Sequence, residues 1–386
     1  MKTNHPATKS HKCTSPVTRF LLLLLFFVCI CILGSLLLKT GAKTSEYGMP
    51  RPKTESAIEV ANSADGEYIK WVDFNITAEA LSKAYELDVT SYDKEVHLNW
   101  IELLAYAGAK GGGSFDNHSI VTLQKLADQL TDKKSSLDEL TKDMKYYNYY
   151  LEAYEAVLGG MVGEYEIEQP DETGKPVLKK VYGLKAFSPI AKGFPYSDYD
   201  DFGSSRSYGY KRQHLGHDMM GQVGTPIIAI ESGYVEALGW NQYGGWRIGI
   251  RSFDGKRYYY YAHLRQNYPY ALNLEEGSVV TAGDVIGYMG HTGYSTKENT
   301  NNIDTVHLHW GLQLIFDESQ KEGNNEIWID CYALSQFLYK NRSEAEKVDG
   351  TKEWVRVYQM TDPVAEEFKK RKNQHHRLSR WFALPL

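Results

Sequence analysis

Two short strings carry the chemistry of this 386-residue chain: His214-Leu-Gly-His-Asp218, and His307-Leu-His309 about ninety residues later. They offer imidazoles and a carboxylate that can meet at one metal ion. Three protein ligands with one position left open is the arrangement of a hydrolytic zinc rather than a structural one. Six of the twelve histidines fall between residues 214 and 309: His214, His217, His263, His291, His307 and His309. Neutral imidazole binds zinc and also moves protons near neutral pH, so the clustering bears on function.

Spacing narrows the roles. His214 and Asp218 are four apart around Gly216. In an extended segment, residues at even separation share a side, so both face one ion and His217 points away. A helical turn would also bring i and i+4 together, but the glycine and the flanking strand pattern favour extension. His307 and His309, two apart in an apolar strand, share a face as well. Both cannot comfortably ligate an ion already held by His214 and Asp218, so one should ligate and the other should serve the bound water or the oxyanion.

The elements that must hold these residues are β-strands. Thr225 to Ile230, Trp246 to Phe253, Lys256 to His263, Val279-Val280, Val285 to Met289 and His307 to Phe316 read as short strands. Asp254-Gly255 marks a hairpin between two of them. Together they predict an antiparallel β domain over 185–330. Before it, Ala78 to Leu87, Val96 to Ala107, Ile120 to Leu130 and Leu137 to Leu158 show apolar residues three and four apart. They predict a small all-α domain over 69–163, interrupted at Gly111-Gly-Gly113. Tyr146, Tyr147, Tyr149, Tyr150 and Tyr154 crowd its last helix; packing is the expected use, and a carbohydrate-stacking face the alternative. Residues 164–184, polar and bearing Pro170 and Pro176, read as a linker. Residues 331–386 read as a short helix at 332–340, then a basic tail (Lys369 to Lys372, His375, His376, Arg377, Arg380) expected to end disordered, with contact to anionic lipid or wall polymer as the alternative.

Phe20 to Leu38 is an uncharged run of 19 residues, about 28 Å long as a helix and close to a hydrocarbon core. Lys2, Lys9, Lys12 and Arg19 precede it, and no acidic residue occurs before Glu46. By the positive-inside bias, residues 1–19 are cytoplasmic, 20–38 form a single transmembrane anchor, and the remainder lies outside the membrane. A cleaved signal peptide is the weaker reading, because the run is long and Lys39-Thr-Gly-Ala42 is a poor cleavage site. Residues 39–68 read as a stalk linker. The fold class is thus α+β and multidomain: a transmembrane helix, a helical domain and an antiparallel β domain.

Charge and cysteine usage exclude other classes. The net charge is −6, with 43 basic and 49 acidic residues, and five of the basic ones lie in the first 40 positions. The exported part is therefore clearly acidic, which argues against a nucleic-acid partner. Only Cys331 of four cysteines lies beyond the anchor. An exported domain with one cysteine has no internal disulfide and stands on its core, as suits a bacterial envelope.

The His214–Asp218 segment resembles the H-x-G-x-D motif of the M23 (LytM/lysostaphin-type) zinc metallopeptidases. Tyr261-Ala-His-Leu264, Val285-Ile-Gly287 with Gly290-His-Thr-Gly293, and His307-Leu-His-Trp310 resemble three further motifs of that family, in its order, over roughly residues 190–316. The resemblance implies that His214, Asp218 and His309 bind Zn2+. It implies that His307 and His263 are the catalytic histidines, with His307 as general base and His263 orienting the water or stabilising the oxyanion. No H-E-x-x-H segment occurs, so a glutamate base is not expected.

The implied activity is a membrane-anchored, extracytoplasmic zinc endopeptidase acting on peptidoglycan peptides. In relatives, segments preceding the catalytic domain sometimes restrain it, so the helical domain is a candidate site for a regulatory partner. The alternative is a non-hydrolytic M23-like envelope scaffold, amidase activator or sporulation-channel component, disfavoured because such forms have mostly lost ligands. Two departures stand out. His217 replaces a usually aliphatic residue, and Tyr294 to Val306 is a longer polar loop where the family has a short glycine-proline link. His291 is expected to be a turn residue, and Asp304 and Glu231 to be surface residues.

Overall fold

Helix punctuation organises the first part of the molecule. In a computed structural model, which describes residues 72–207, 211–321 and 325–382, Thr77, Asn99, Asp116 and Ser136 each accept hydrogen bonds from first-turn backbone N–H groups. These side chains satisfy donors that a helix start leaves open. They begin α1 (Ala78–Ser91), α2 (Trp100–Gly111), α3 (Asn117–Thr131) and α4 (Leu137–Thr141). Gly112, at φ +60°, closes α2 in the left-handed region that glycine tolerates. The continuous helix expected over 137–158 is broken into α4 and α5 (Tyr147–Leu158). The Thr141 hydroxyl donates to the Leu137 carbonyl, back-bonding that bends helices. Tyr147, Tyr149, Tyr150 and Tyr154 are buried, and Phe74 meets Tyr154 edge-on at 5.9 Å. The tyrosine crowd is core.

The expected linker at 164–184 is a hairpin instead. Strands β1 (Val162–Pro170) and β2 (Pro176–Leu184) pair along their whole length. Asp171 Oδ1 accepts from the backbone N–H of Thr173 and Lys175 to close the turn. Glu164, Glu166 and Glu168 alternate with Tyr165 and Ile167. A half-exposed ribbon needs that alternation, and composition alone reads it as polar spacer.

The following strands are β3 (Ser197–Asp198), β4 (Ser205–Ser207), β5 (Lys211–Gln213), β6 (His217–Met220), β7 (Pro226–Ile228), β8 (Gly233–Asn241), β9 (Gly245–Ser252) and β10 (Arg257–Ala262). After them come β11 (Val279–Val280), β12 (Val285–Tyr288), β13 (His307–Leu314), β14 (Ile327–Ile329), helix α6 (Tyr332–Leu338), β15 (Ala345–Lys347), β16 (Trp354–Arg356), β17 (Met360–Thr361) and α7 (Pro363–Phe382). An eight-stranded sheet runs β11-β8-β9-β10-β13-β6-β3, with β14 also on β13. All its pairings are antiparallel, as expected. Strand β17 adds to the outer edge of β1.

The tail expected to be disordered is helical through Phe382. Phe368 stacks on Tyr234 at 5.6 Å and packs on Phe253 at 4.7 Å, which ties α7 to the sheet. The helices and the sheet share a core. One buried apolar cluster runs from Val72 to Leu338, from the helices past Val162 and Leu184 at the paired ends of β1 and β2 to the sheet. The anchor at 20–38 and the stalk at 39–68 lie outside the described residues. Among the described residues no helix is long and apolar enough to cross a membrane.

Glu231, expected at the surface, is only 7% exposed. Arg257 on β10 supplies the reason. Its Nε donates to Glu231 Oε2 at 2.7 Å, the Tyr259 hydroxyl donates to the same oxygen, and Arg257 Nη1 donates to the Ala156 carbonyl at 3.0 Å. The pair therefore joins α5 to the sheet. Glu231→Ala would leave the buried guanidinium with only the half-exposed Asp254 carboxylate, 3.0 Å from Nη2. The expected loss is about 3–5 kcal/mol, read as a lower urea midpoint at unchanged slope.

Candidate metal centre

Strand β13 alternates between two environments. Leu308, Trp310, Leu312 and Leu314 are wholly buried on one face. His307 and His309 therefore emerge on the other. Strand β6 pairs antiparallel with β13 and sets Asp218 directly opposite His309. His214 stands just before β6, and the chain turns back over His309 at Gly216. A Cβ at Gly216 would lie 2.5 Å from His309 Cε1. Gly216→Ala should displace that ring and weaken metal binding about 10–100-fold, comparable to losing an orienting partner. A competitive zinc chelator titration reads this directly.

Three donor atoms converge. His214 Nε2 lies 3.0 Å from Asp218 Oδ1, His309 Nδ1 lies 2.9 Å from the same oxygen, and the two nitrogens are 3.0 Å apart. Tetrahedral zinc with bonds of about 2.0–2.1 Å sets its donors about 3.3 Å apart. The triangle fits that ion after a small expansion, and two nitrogens with one carboxylate oxygen are a donor set zinc accepts. His217 is not part of it. Its Nε2 faces Asp198 Oδ2 at 3.0 Å and its ring packs on Tyr332, the far-face placement that strand alternation implies.

The two other histidines border the triangle. His263 follows β10 with φ +60°, an uncommon conformation for a residue with a side chain. Its Nδ1 lies 2.9 Å from the Thr292 carbonyl, and His307 Nδ1 lies 2.9 Å from the Thr305 carbonyl. A carbonyl only accepts, so each Nδ1 carries the proton. Each neutral ring then keeps an unprotonated Nε2. The rings are 4.7 Å apart, and His307 Nε2 is 3.8 Å from Asp218 Oδ1. Thr292 is itself fixed: its hydroxyl donates to the Leu264 carbonyl and accepts from the Trp246 N–H.

Residues 212–323 match the model of peptidase family M23. The chain carries an M23 peptidase domain. An L-Ala–D-Glu endopeptidase of Bacillus subtilis (strain 168) is 33% identical over 190 residues, covering 47% of this chain and 56% of that protein. Lysostaphin of Staphylococcus staphylolyticus is 42% identical over 98 residues, covering 25% of this chain and 18% of that protein. The chain thus spans little more than half of one curated relative and under a fifth of the other. A solved structure of a Ruminococcus gnavus protein assigned as a glycyl-glycine endopeptidase has 27% identity and a TM-score of 0.44, covering 70% of this chain and 91% of that one.

Around the M23 triad lie groups that spacing did not reveal. Asp201 Oδ1 is 3.1 Å from His214 Nδ1, the nitrogen facing away from the other donors. Arg206 pairs with Asp201, and its Nη2 also donates to Asp218 Oδ2 at 3.1 Å. A carboxylate behind a ligating histidine fixes its ring and raises its basicity. The stretch Ser197-Asp-Tyr-Asp-Asp201 shows three acids, and only the fold assigns Asp198 to His217 and Asp201 to His214.

The long loop after Gly293 covers the site's edge. The Tyr294 ring lies alongside that of His263, with centroids 6.0 Å apart. Asn299 Oδ1 accepts from the Trp246 indole N–H and the Asn267 backbone. His291 Nδ1 donates to the Ile303 carbonyl, so this histidine pins the loop.

Electrostatics separates His214 from His263 and His309. Burial works against charge on His214, but Asp201 and Asp218 outweigh it and raise its pKa to about 9. Burial also opposes ionisation of Asp218, yet His214 and His309 hold it far below the usual carboxylate range. Burial depresses His309 despite Asp218, and it depresses His263 strongly, with the charges of His307 and His309 adding to the effect. A ligand must be deprotonated to bind. With a proton held on His214 up to about pH 9, zinc uptake at pH 7 should release about one proton. Affinity should then fall as pH drops. Calorimetry in two buffers of different ionisation heat counts the protons; a count of zero contradicts this.

Proposed function

We propose that this chain is a zinc endopeptidase that hydrolyses peptide bonds of peptidoglycan, held at the outer face of a cell membrane by the apolar segment 20–38. The convergence of three donor atoms with two Nε2 acceptors beside them carries the reading. The two curated relatives, an endopeptidase of the L-Ala–D-Glu bond and lysostaphin, support the substrate class.

His214, Asp218 and His309 would hold the ion, which would supply Lewis acidity toward a carbonyl oxygen and lower the pKa of a bound water. His307 and His263 divide the proton work. Both present an unprotonated Nε2, so both accept a hydrogen bond from the attacking water. His263, with its basicity depressed by burial, is the poorer base and orients the water. His307 takes the proton on Nε2 and returns it to the leaving amine, while its Nδ1–H stays on the Thr305 carbonyl. Without a proton on Nε2, neutral His263 does not donate to the oxyanion, so this reading takes water orientation as its role.

The test uses the full chain, purified in detergent. Zinc per chain is measured, purified peptidoglycans of several cross-link types are digested, and the products are weighed by mass spectrometry. New amino termini within the peptides are the expected result. One zinc per chain without any cleavage would instead favour the scaffold reading.

A further inference from the structure

Hairpin β4–β5 sets Arg206 directly across from Arg212. Like charges in register repel, so each guanidinium needs an anion. Arg206 has two, Asp201 and Asp218. Arg212 has none: among the described residues it forms no ion pair, and its Nε is buried without a hydrogen-bond partner. Leaving a buried polar donor unmatched is costly.

Its position is specific. The guanidinium lies 5.0 Å from the centroid of the Tyr294 ring, which is itself alongside His263. Its charge is also felt at the Tyr260 phenol, whose ring is 6.0 Å from that of His309. Arg212 thus stands between an aromatic ring next to a metal ligand and one next to an accessory histidine. Arg251 and Lys321 on this face have carboxylates, Glu236 and Glu318. Arg247 on β9, like Arg212, has no ion pair among the described residues and a buried Nε without a hydrogen-bond partner, so the two bring unmatched positive charge to Tyr260 beside the metal centre.

We propose that Arg212 is a specificity-determining residue that receives a substrate carboxylate beside the scissile bond, making acidic peptides rather than uncharged glycine bridges the substrate class. This rests on the endopeptidase reading above. A planar guanidinium takes a carboxylate through two parallel hydrogen bonds.

The test compares L-Ala–γ-D-Glu–L-Lys with the same peptide carrying D-isoglutamine, in which an amide replaces the carboxylate. Pentaglycine serves as a third probe, and the zinc-loaded full chain as enzyme. Wild type should prefer the acid over the amide about 10–100-fold in kcat/KM, the range of a charged hydrogen-bond pair, and cleave pentaglycine more slowly still. Arg212→Gln should bring the acid-to-amide ratio to about one, and Arg212→Lys, which keeps the charge but loses the fork, should give an intermediate ratio. A wild-type ratio near one, or a ratio that Arg212→Gln leaves intact, overturns the assignment. If no peptide is cleaved, the endopeptidase reading fails separately. The carboxylate site is then judged by calorimetry with the same acid and amide: tighter binding of the acid that Arg212→Gln abolishes supports it, and equal binding refutes it.

Discussion

His309→Ala should leave the protein folded and without zinc. Three donors at about 3 Å from one another would share the ion. If binding is of the order of 10 kcal/mol, losing one of three costs roughly 3 kcal/mol, more than a hundredfold in affinity. The remaining pair, His214 and Asp218, keeps its own contact at 3.0 Å and can close into an ion pair that competes with the metal. Zinc per chain after gel filtration should fall from one to near zero, and peptide hydrolysis with it. Full zinc occupancy in this variant would refute the ligand assignment.

His307→Ala should behave differently. The residue gives no atom to the triangle, so zinc should remain at one per chain. Its Nε2 is the better placed base, and removing a general base costs about 10²–10⁴ in rate. The loss should appear in kcat rather than KM, since the ring is assigned to proton transfer and not to holding substrate. A fall of less than tenfold, with zinc retained, would move the base role elsewhere.

Much of this centre is legible in the chain because strands translate spacing into direction. Two residues apart on β13 means one face, and that rule brings His307 and His309 to the site while Leu308 and Trp310 enter the core. The same rule sends His217 to the far side. What spacing cannot supply is what lies behind the ligands. Asp201 and Arg206 reach His214 and Asp218 only because the segment before β6 folds back over them. Partnering also hid Glu231, whose burial depends on Arg257, a residue 26 positions away. The linker expectation failed for a different reason. Charged residues alternating with Tyr165 and Ile167 are as polar as a spacer by composition, and only the pattern distinguishes a ribbon. The core shared by helices and sheet was not legible, because apolar periodicity shows that a helix has an inward face without showing what that face meets.

The single apolar cluster from Val72 to Leu338 has a practical consequence for how such a protein can be controlled and reused. Helices α1–α5 cannot be clipped off as a removable guard, because cutting near 160 would bare the apolar side of α5 and strip Arg257 of the Ala156 carbonyl. A transplantable piece therefore has to carry helices α1–α5 as well, well upstream of the metal-binding motifs. A restraint that leaves this shared core whole would act at the mouth of the cleft.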